Sequence, residues 1–358
     1  MRLFKGATLI LILALLLRGL AALGVDAALE TLIQTAVADT TLVEAAVFSQ
    51  SSLLTATAGT EVVEAWYGFY DTGDPDDESE AEVDTPTLPP ELTDYPPQPA
   101  PLPTITFTGD DSQNAAAGIY IRNHTTYDID VESLLAAPLP IAFSPEEPPT
   151  VLILHTHGTE SFEPEGYDWY DNTDNYRTLD RNLNITRVGR EMTAILEDRG
   201  IQVLHNQDIF DYPSFRGSYG RSLAKAQQYI AAHPNIQIIF DIHRDAILDA
   251  AGSYIRTLAD IEGKNSAQIM LVVGTDHAGL YHPGWRDNLA FALRLQRAMV
   301  DFHPGFARPL DLREERFNAH LAPGAVLVEI GTCGNTLQEA LTAGRLFAEI
   351  VADVLLGG

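Results

Sequence analysis

The chain has 358 residues, 46% of them hydrophobic, with 22 Lys and Arg against 50 Asp and Glu and a formal net charge of −28. That length accommodates an anchored leader and one or two domains. The acidity excludes a nucleic-acid partner, since phosphate binding is driven by Lys and Arg releasing counterions. The single cysteine, Cys333, excludes an intrachain disulfide framework and a CxxC-type zinc site.

The charge is unevenly spread. Residues 1–24 hold three basic side chains and no acid, residues 25–150 hold 23 acids against Arg122 alone, and residues 151–358 hold 27 acids against 18 bases. At the amino terminus Met1-Arg2-Leu3-Phe4-Lys5 precedes an apolar run from Ala7 to Leu17, and a second apolar patch follows Arg18 as far as Val25. Basic residues ahead of an apolar run mark a segment handled by the secretion machinery. Counted through to Val25 with Arg18 snorkelling, the stretch nears the ~20 residues that spanning needs. Residues 1–25 therefore read as a cleaved signal or an uncleaved membrane anchor, and either places the remainder outside the cytoplasm.

Residues 26–70 carry Ala, Leu and Val at helical spacing, as in Leu42, Val43, Ala46 and Val47, and are expected to be weakly helical. Residues 71–104 run through Asp74-Pro75-Asp76-Asp77-Glu78 and then Pro96-Pro97-Gln98-Pro99. Such a segment repels itself and has little apolar area to bury, so a disordered acidic linker is expected. Residues 105–149 hold two strand-like stretches, Ile119-Tyr120-Ile121-Arg122-Asn123 and Tyr127-Asp128-Ile129-Asp130-Val131, expected as a small region docking on the main domain.

From residue 150 to the end, short apolar strands alternate with amphipathic helices. Val151–Leu154, Ile201–Leu204, Ile236–Ile242, Ala267–Val273 and Val326–Ile330 read as strands. Helices are expected around Val188–Leu196, with Gly200 as the C′ residue, and over 222–232, 288–302 and 336–356. This alternation predicts an α/β fold, an open mixed sheet with helices on both faces. In such sheets ligands bind beyond the carboxyl ends of the strands.

Those strand ends are polar: His155-Thr156-His157-Gly158-Thr159-Glu160, Asp241-Ile242-His243-Arg244-Asp245, and Glu329-Ile330-Gly331. A catalytic zinc site needs three protein ligands, imidazoles and a carboxylate at about 2.0–2.2 Å, with a fourth position open. His157 and Glu160 lie three apart in a strand-to-helix turn, and His243 supplies a distant third ligand. Glu329, in an otherwise apolar strand where an unpaired carboxylate is costly, then fits a proton-transferring role. Taken singly, His155 or His157 could cap a helix, and 241–245 could be a solvated loop; the coincidence favours a metal site.

The same residues carry a family resemblance. His155-Thr156-His157-Gly158-Thr159-Glu160-Ser161, Asp211-Tyr212-Pro213-Ser214 with Gly217-Ser218-Tyr219, Asp241-Ile242-His243-Arg244-Asp245-Ala246 and Val328-Glu329-Ile330-Gly331 with Gly334-Asn335-Thr336 resemble stage II sporulation protein P, in that family's order, from about Val151 to the end. The resemblance implies a zinc-type peptidoglycan hydrolase of amidase and zinc-carboxypeptidase-like architecture. Its target would be the N-acetylmuramoyl to L-alanine bond, with additional cleavage of peptide crosslinks. It implies work during septal thinning and engulfment in a spore-forming bacterium, beside the stage II sporulation proteins D and M. His157 or His155, with His243, would carry over as metal ligands and Glu329 as the catalytic acid/base. For the third ligand Glu160 fits the HxxE spacing; related amidases take a Glu from a later helix, where the first acid here is Glu191. Gly158 departs from the Thr of the family pattern.

Around these, Arg244 is expected to pair with a substrate carboxylate or with Asp241 or Asp245, and Asn335 to orient Glu329 or cap the final helix. Cys333 reads as a small packed residue. The loop 275–285, with His277, His282 and Trp285, reads as loop packing before a groove lining. Two rival functions remain: a catalytically inactive wall-binding scaffold, and a zinc carboxypeptidase acting on stem peptides.

Overall fold

The computed structural model describes residues 104–106, 114–116, 119–141, 150–163, 176–247 and 254–357. The leader at 1–25, the weakly helical region at 26–70 and nearly all of the acidic linker at 71–104 lie outside the described residues. Among the described residues no helix is long and apolar enough to cross a membrane.

Along the chain come β1 (Thr104–Ile105), β2 (Asn114–Ala116), β3 (Ile119–Asn123), α1 (Val131–Ala136), β4 (Thr150–Leu154), α2 (Ile185–Asp198), β5 (Val203–His205) and α3 (Ser218–Ala232). Then follow β6 (Ile236–Asp245), β7 (Arg256–Ile261), β8 (Lys264–Ala267), β9 (Ile269–Gly274), α4 (Trp285–Phe302), β10 (Leu310–Arg313), a 3-10 turn (Ala319–Leu321), β11 (Gly324–Thr332) and α5 (Leu337–Leu356). Eight strands form the main sheet in the order β2-β3-β10-β9-β11-β6-β4-β5, and β1-β7-β8 form a small second sheet. The main sheet is mixed: β11 runs parallel to β6 and antiparallel to β9.

Strand alternation sorts the apolar side chains to two faces. On one face Val151, Ile153, Ile238, Phe240, Ile242, Val326 and Val328 pack with Val188 and Met192 of α2, Leu289 and Phe291 of α4 and Phe347 of α5. On the other, Leu152, Leu154, Ile239 and Ala325 meet Ala226 of α3 and Ala319 of the 3-10 turn. Among the described residues, α2, α4 and α5 thus cover one face and α3 the other. Helix ends follow local chemistry. Asn184 caps α2, and after it Gly200, at φ +81°, lets the Gly200 N–H reach Glu197 O and the Ile201 N–H reach Leu196 O, a Schellman stop. Thr336 and Glu339 close a capping box on α5.

Within 105–149, β3 is a strand of the main sheet beside β10, and Tyr127 stacks on Trp285. Two expectations change. The Tyr127–Val131 stretch is no strand, because Asp130 accepts from the Ser133 N–H and starts α1. The strand from Ile236 does not stop at Ile242 but runs to Asp245, since its polar end is buried and bonded rather than a solvated loop.

Candidate metal centre and its cleft

Register and alternation assemble the site. Glu329 of β11 is the Cα partner of His243 on the parallel strand β6, so the two side chains stand side by side. Asp241 and His243, two apart on β6, share that face, while Phe240, Ile242 and Arg244 point to the other. Beyond the end of β4 the chain turns, with the Glu160 N–H on His157 O, and the Ile185 N–H that opens α2 rests on Glu160 O.

His157, Glu160 and His243 converge, each offering one donor atom with all three within 4.8 Å of one another. His157 Nδ1 is 3.4 Å from Glu160 Oε1, and His243 Nδ1 is 3.5 Å from Glu160 Oε2. Two atoms each about 2.1 Å from a tetrahedral ion stand about 3.4 Å apart. The spacing and the donor set, two imidazoles with one carboxylate, suit zinc. The wider shell is that of a ligated imidazole: His243 Nε2 lies 3.0 Å from Asp241 Oδ1, although off the hydrogen-bonding direction. Thr156 fixes Asp241 with its backbone N–H at 2.8 Å and its hydroxyl at 2.6 Å.

Electrostatics point the same way. Burial opposes charge on Glu160, yet the two imidazoles hold its carboxyl well below the usual range. Burial likewise opposes a charged His243, but Asp241 and Glu160 together raise it well above an ordinary histidine. A proton on His243 does there what a divalent cation would do better. Glu329 goes the other way: burial first, then Asp245, push its carboxyl up to about 8, only partly offset by His243 and Arg308. Its Oε2 is buried with no hydrogen-bond partner.

The other expected residues lie elsewhere. His155, the alternative ligand, points to the α2 face, with Nδ1 2.9 Å from Ile242 O and Nε2 2.9 Å from His205 Nε2. Arg244 is not open to a substrate carboxylate, nor paired with Asp241 or Asp245. Its guanidinium is buried and donates to Ser161 O and Tyr176 O, while its backbone N–H holds Glu160 Oε2 at 3.0 Å. Asn335 accepts from the Thr257 and Thr332 N–H groups and donates to Thr257 O, stitching the end of β11 to β7, and its amide also donates to Glu339 of the α5 capping box, whose N-cap is Thr336. Glu191 pairs with Arg187 and Arg345 away from the site. Cys333 is buried, its thiol pushed up to about 11 by that burial. His277 packs on Tyr127 rather than lining a groove.

Reading the sequence missed Asp241, whose signal was its i, i+2 spacing from His243, and Thr156. It also missed the cleft wall. Phe215 stacks on His157 with centroids 4.4 Å apart, Arg177 covers Phe215 at 4.9 Å, and Arg177 pairs with Asp211 at 2.8 Å.

An α/β sheet that gathers two histidines and a carboxylate at its strand ends, with a raised carboxyl next to them, defines a candidate divalent-metal centre. The family model for stage II sporulation protein P matches residues 110–352, and the chain belongs to that family. Stage II sporulation protein P of Bacillus subtilis (strain 168) is 29% identical over 217 residues, 57% of this chain; the match spans half the length of that relative. Among solved structures, an N-acetylmuramoyl-L-alanine amidase from Clostridium difficile 630 is similar at 15% identity, covering 59% of this chain and 96% of that one, with a TM-score of 0.35. The CwlD amidase of Clostridioides difficile, solved in complex with the GerS lipoprotein, is similar at 16% identity, with 58% and 94% covered and a TM-score of 0.33.

Proposed function

We propose that this protein is a zinc-dependent peptidoglycan hydrolase of sporulation that cleaves the amide between N-acetylmuramic acid and L-alanine, held outside the cytoplasm by residues 1–25. Family membership supports the setting. The observation that carries the chemistry is the convergence of His157, Glu160 and His243 beside Glu329.

His157, Glu160 and His243 are the residues that would hold the ion. Bound there, zinc supplies a Lewis acid for the scissile carbonyl and makes water acidic enough to attack near neutral pH. Arg244 N–H and the α2 start fix Glu160, and Asp241, itself fixed by Thr156, turns the His243 ring toward the site. Glu329 moves protons at Oε2: it takes one from the attacking water and gives one to the amide nitrogen as the bond breaks. A carboxyl whose surroundings favour the protonated form is suited to that second step.

Digestion of purified sacculi by the full chain, with mass spectrometry of the fragments, tests this reading. Free stem peptides beginning with L-alanine are expected. Shortened stems would transfer the site to a carboxypeptidase, and tight binding without cleavage would leave a scaffold.

A further inference from the structure

The reaction described above leaves part of its own cleft unused. Three aromatic rings follow one another along the side of the candidate metal site. Phe215 stacks on His157 at 4.4 Å, Tyr219 meets His157 at 5.5 Å and lies parallel to His243 at 6.5 Å, and Phe317 adjoins Tyr219 at 5.9 Å. All three are partly exposed. They come from separate segments, the turn before α3, the first turn of α3, and the loop between β10 and the 3-10 turn.

The third segment is held in an unfavourable conformation. Phe317 and Asn318 are consecutive non-glycine residues at φ +47° and +60°. The left-handed region costs an ordinary side chain roughly 1–2 kcal/mol, and such strain persists where the surroundings impose it, often at functional sites. Asn318 imposes it here: its amide donates to Tyr219 O at 2.9 Å and to Ser222 Oγ at 3.2 Å, tying the loop to α3. Phe317 rests on Met270, Val272 and Leu327, the last of these two residues before Glu329 on the same sheet face. The strain thus serves to place one more ring in line with Tyr219.

We propose that Phe317 and Tyr219 form the wall on which the muramyl sugar of the glycan strand stacks, so that the sugar side of the scissile amide lies over these rings, while Phe215, held between His157 and Arg177, closes the end of the wall. The proposal rests on the hydrolase reading and specifies which part of its substrate goes where. A pyranose ring turns a face of C–H bonds outward, and these meet the negative face of an aromatic ring favourably.

The test compares Phe317→Ala, Phe317→Leu and Phe317→Tyr in the full chain, because Phe317 touches none of the metal-binding histidines. Two readouts are taken: KM and kcat on a disaccharide-peptide, and binding of glycan chains stripped of their peptides. Loss of one stacked ring should raise KM about 10-fold with kcat changed little, and weaken glycan binding in parallel. Phe317→Leu keeps the packing on Leu327 and should show the same KM defect, whereas Phe317→Tyr should restore it. Equal KM and equal glycan binding in Phe317→Leu and the unsubstituted protein would overturn the proposal while leaving the hydrolase reading intact. Sacculi left uncut by the unsubstituted protein would overturn the hydrolase reading; in that event glycan binding that needs Phe317 would still support the wall, and its absence would remove it.

Discussion

Two pairs of histidines occupy opposite faces of the same strand ends, and they are chemically unlike. His157 and His243 stand on the α3 face with Glu160 and Asp241 within 3.5 Å. His155 and His205 stand on the α2 face with no carboxylate near enough to pair among the described residues, over Gly189, where an added Cβ would come within 2.6 Å of both rings. Because a carbonyl can only accept, His155 Nδ1 carries its proton toward Ile242 O, so His155 Nε2 accepts and His205 Nε2 donates. Burial pushes His155 down to about 4 and His205 down to about 3. The carboxylates instead push His243 up. Residue type is the same and sequence positions 155 and 157 are two apart; what differs is the company that strand geometry provides. Only the face that couples imidazoles to buried negative charge is a place for a cation.

The largest consequence of that contrast is in metal content. His243→Ala and His157→Ala are each expected to abolish zinc retention and bring sacculus digestion down to the buffer background, with elemental analysis of the dialysed protein as the check. His155→Ala is expected to keep a full equivalent of metal and to lose stability instead, about 1–3 kcal/mol for the unpaired His205 donor and the lost packing. Zinc lost from the His155 variant at unchanged stability would erase the distinction between the faces.

Within the α3 face, Glu329 and the three candidate ligands should separate. Glu329→Gln keeps the size of the side chain and removes its titration. Turnover is expected to fall about 10²–10⁴-fold while the zinc equivalent and the fold persist. Near-normal kcat in that variant would take Glu329 out of the mechanism. A smaller effect is expected one shell out, at Asp241→Asn. Weakening a carboxylate that orients a ligand histidine typically costs about 10–100-fold in metal affinity, measurable by competition with a chelator, with kcat at saturating zinc changed less than in Glu329→Gln.

How much of this the sequence disclosed follows from how local each signal is. Buried strands such as Val151–Leu154 and helices with a continuous apolar stripe such as 337–356 are written in their own periodicity. The hairpin of β7 and β8 is not: its two-residue turn, Glu262 and Gly263 at φ +54° and +77°, is of the left-handed kind usually marked by Asn-Gly, and its strands carry exposed Asp260, Lys264 and Asn265. β10 is four residues long, too short for alternation to show. In the site, strand-end polarity singles out His157, Glu160, His243 and Glu329, which the fold brings together, but leaves His155 beside them as an alternative. The fates of Arg244 and Asn335 could not be read there, because both are decided by backbone carbonyls and N–H groups of Ser161, Tyr176, Thr257 and Thr332 that only the fold brings within reach. Phe215, Tyr219 and Phe317 belong to three segments with no shared periodicity.

The finest distinction between the two faces lies in how the metal-free protein responds to pH. His155 and His205 stay neutral in the fold down to about 4 and about 3, while in the unfolded chain they protonate near 6.5. Below 6.5 the unfolded state therefore binds more protons, and stability falls with acid by about 1.4 kcal/mol per pH unit for each histidine. Glu329, neutral in the fold up to about 8, works in the opposite sense: above its unfolded value of 4.5 the unfolded chain has already lost that proton, so stability falls as pH rises toward 8. Between about 5 and 6.5 the two histidines outweigh this one carboxyl. Above 6.5 their contribution is complete, and Glu329 acts together with His243, whose raised pKa makes its stabilisation disappear as pH climbs through it. A stability maximum near pH 6.5 follows for the zinc-free chain in urea titrations. His205→Gln should flatten the acid limb alone, whereas Glu329→Gln should make the alkaline limb shallower, leaving the share of His243, and steepen the acid limb that Glu329 opposes. If one substitution flattened both limbs, the two faces would be titrating as a single coupled cluster rather than as separate environments divided by the sheet.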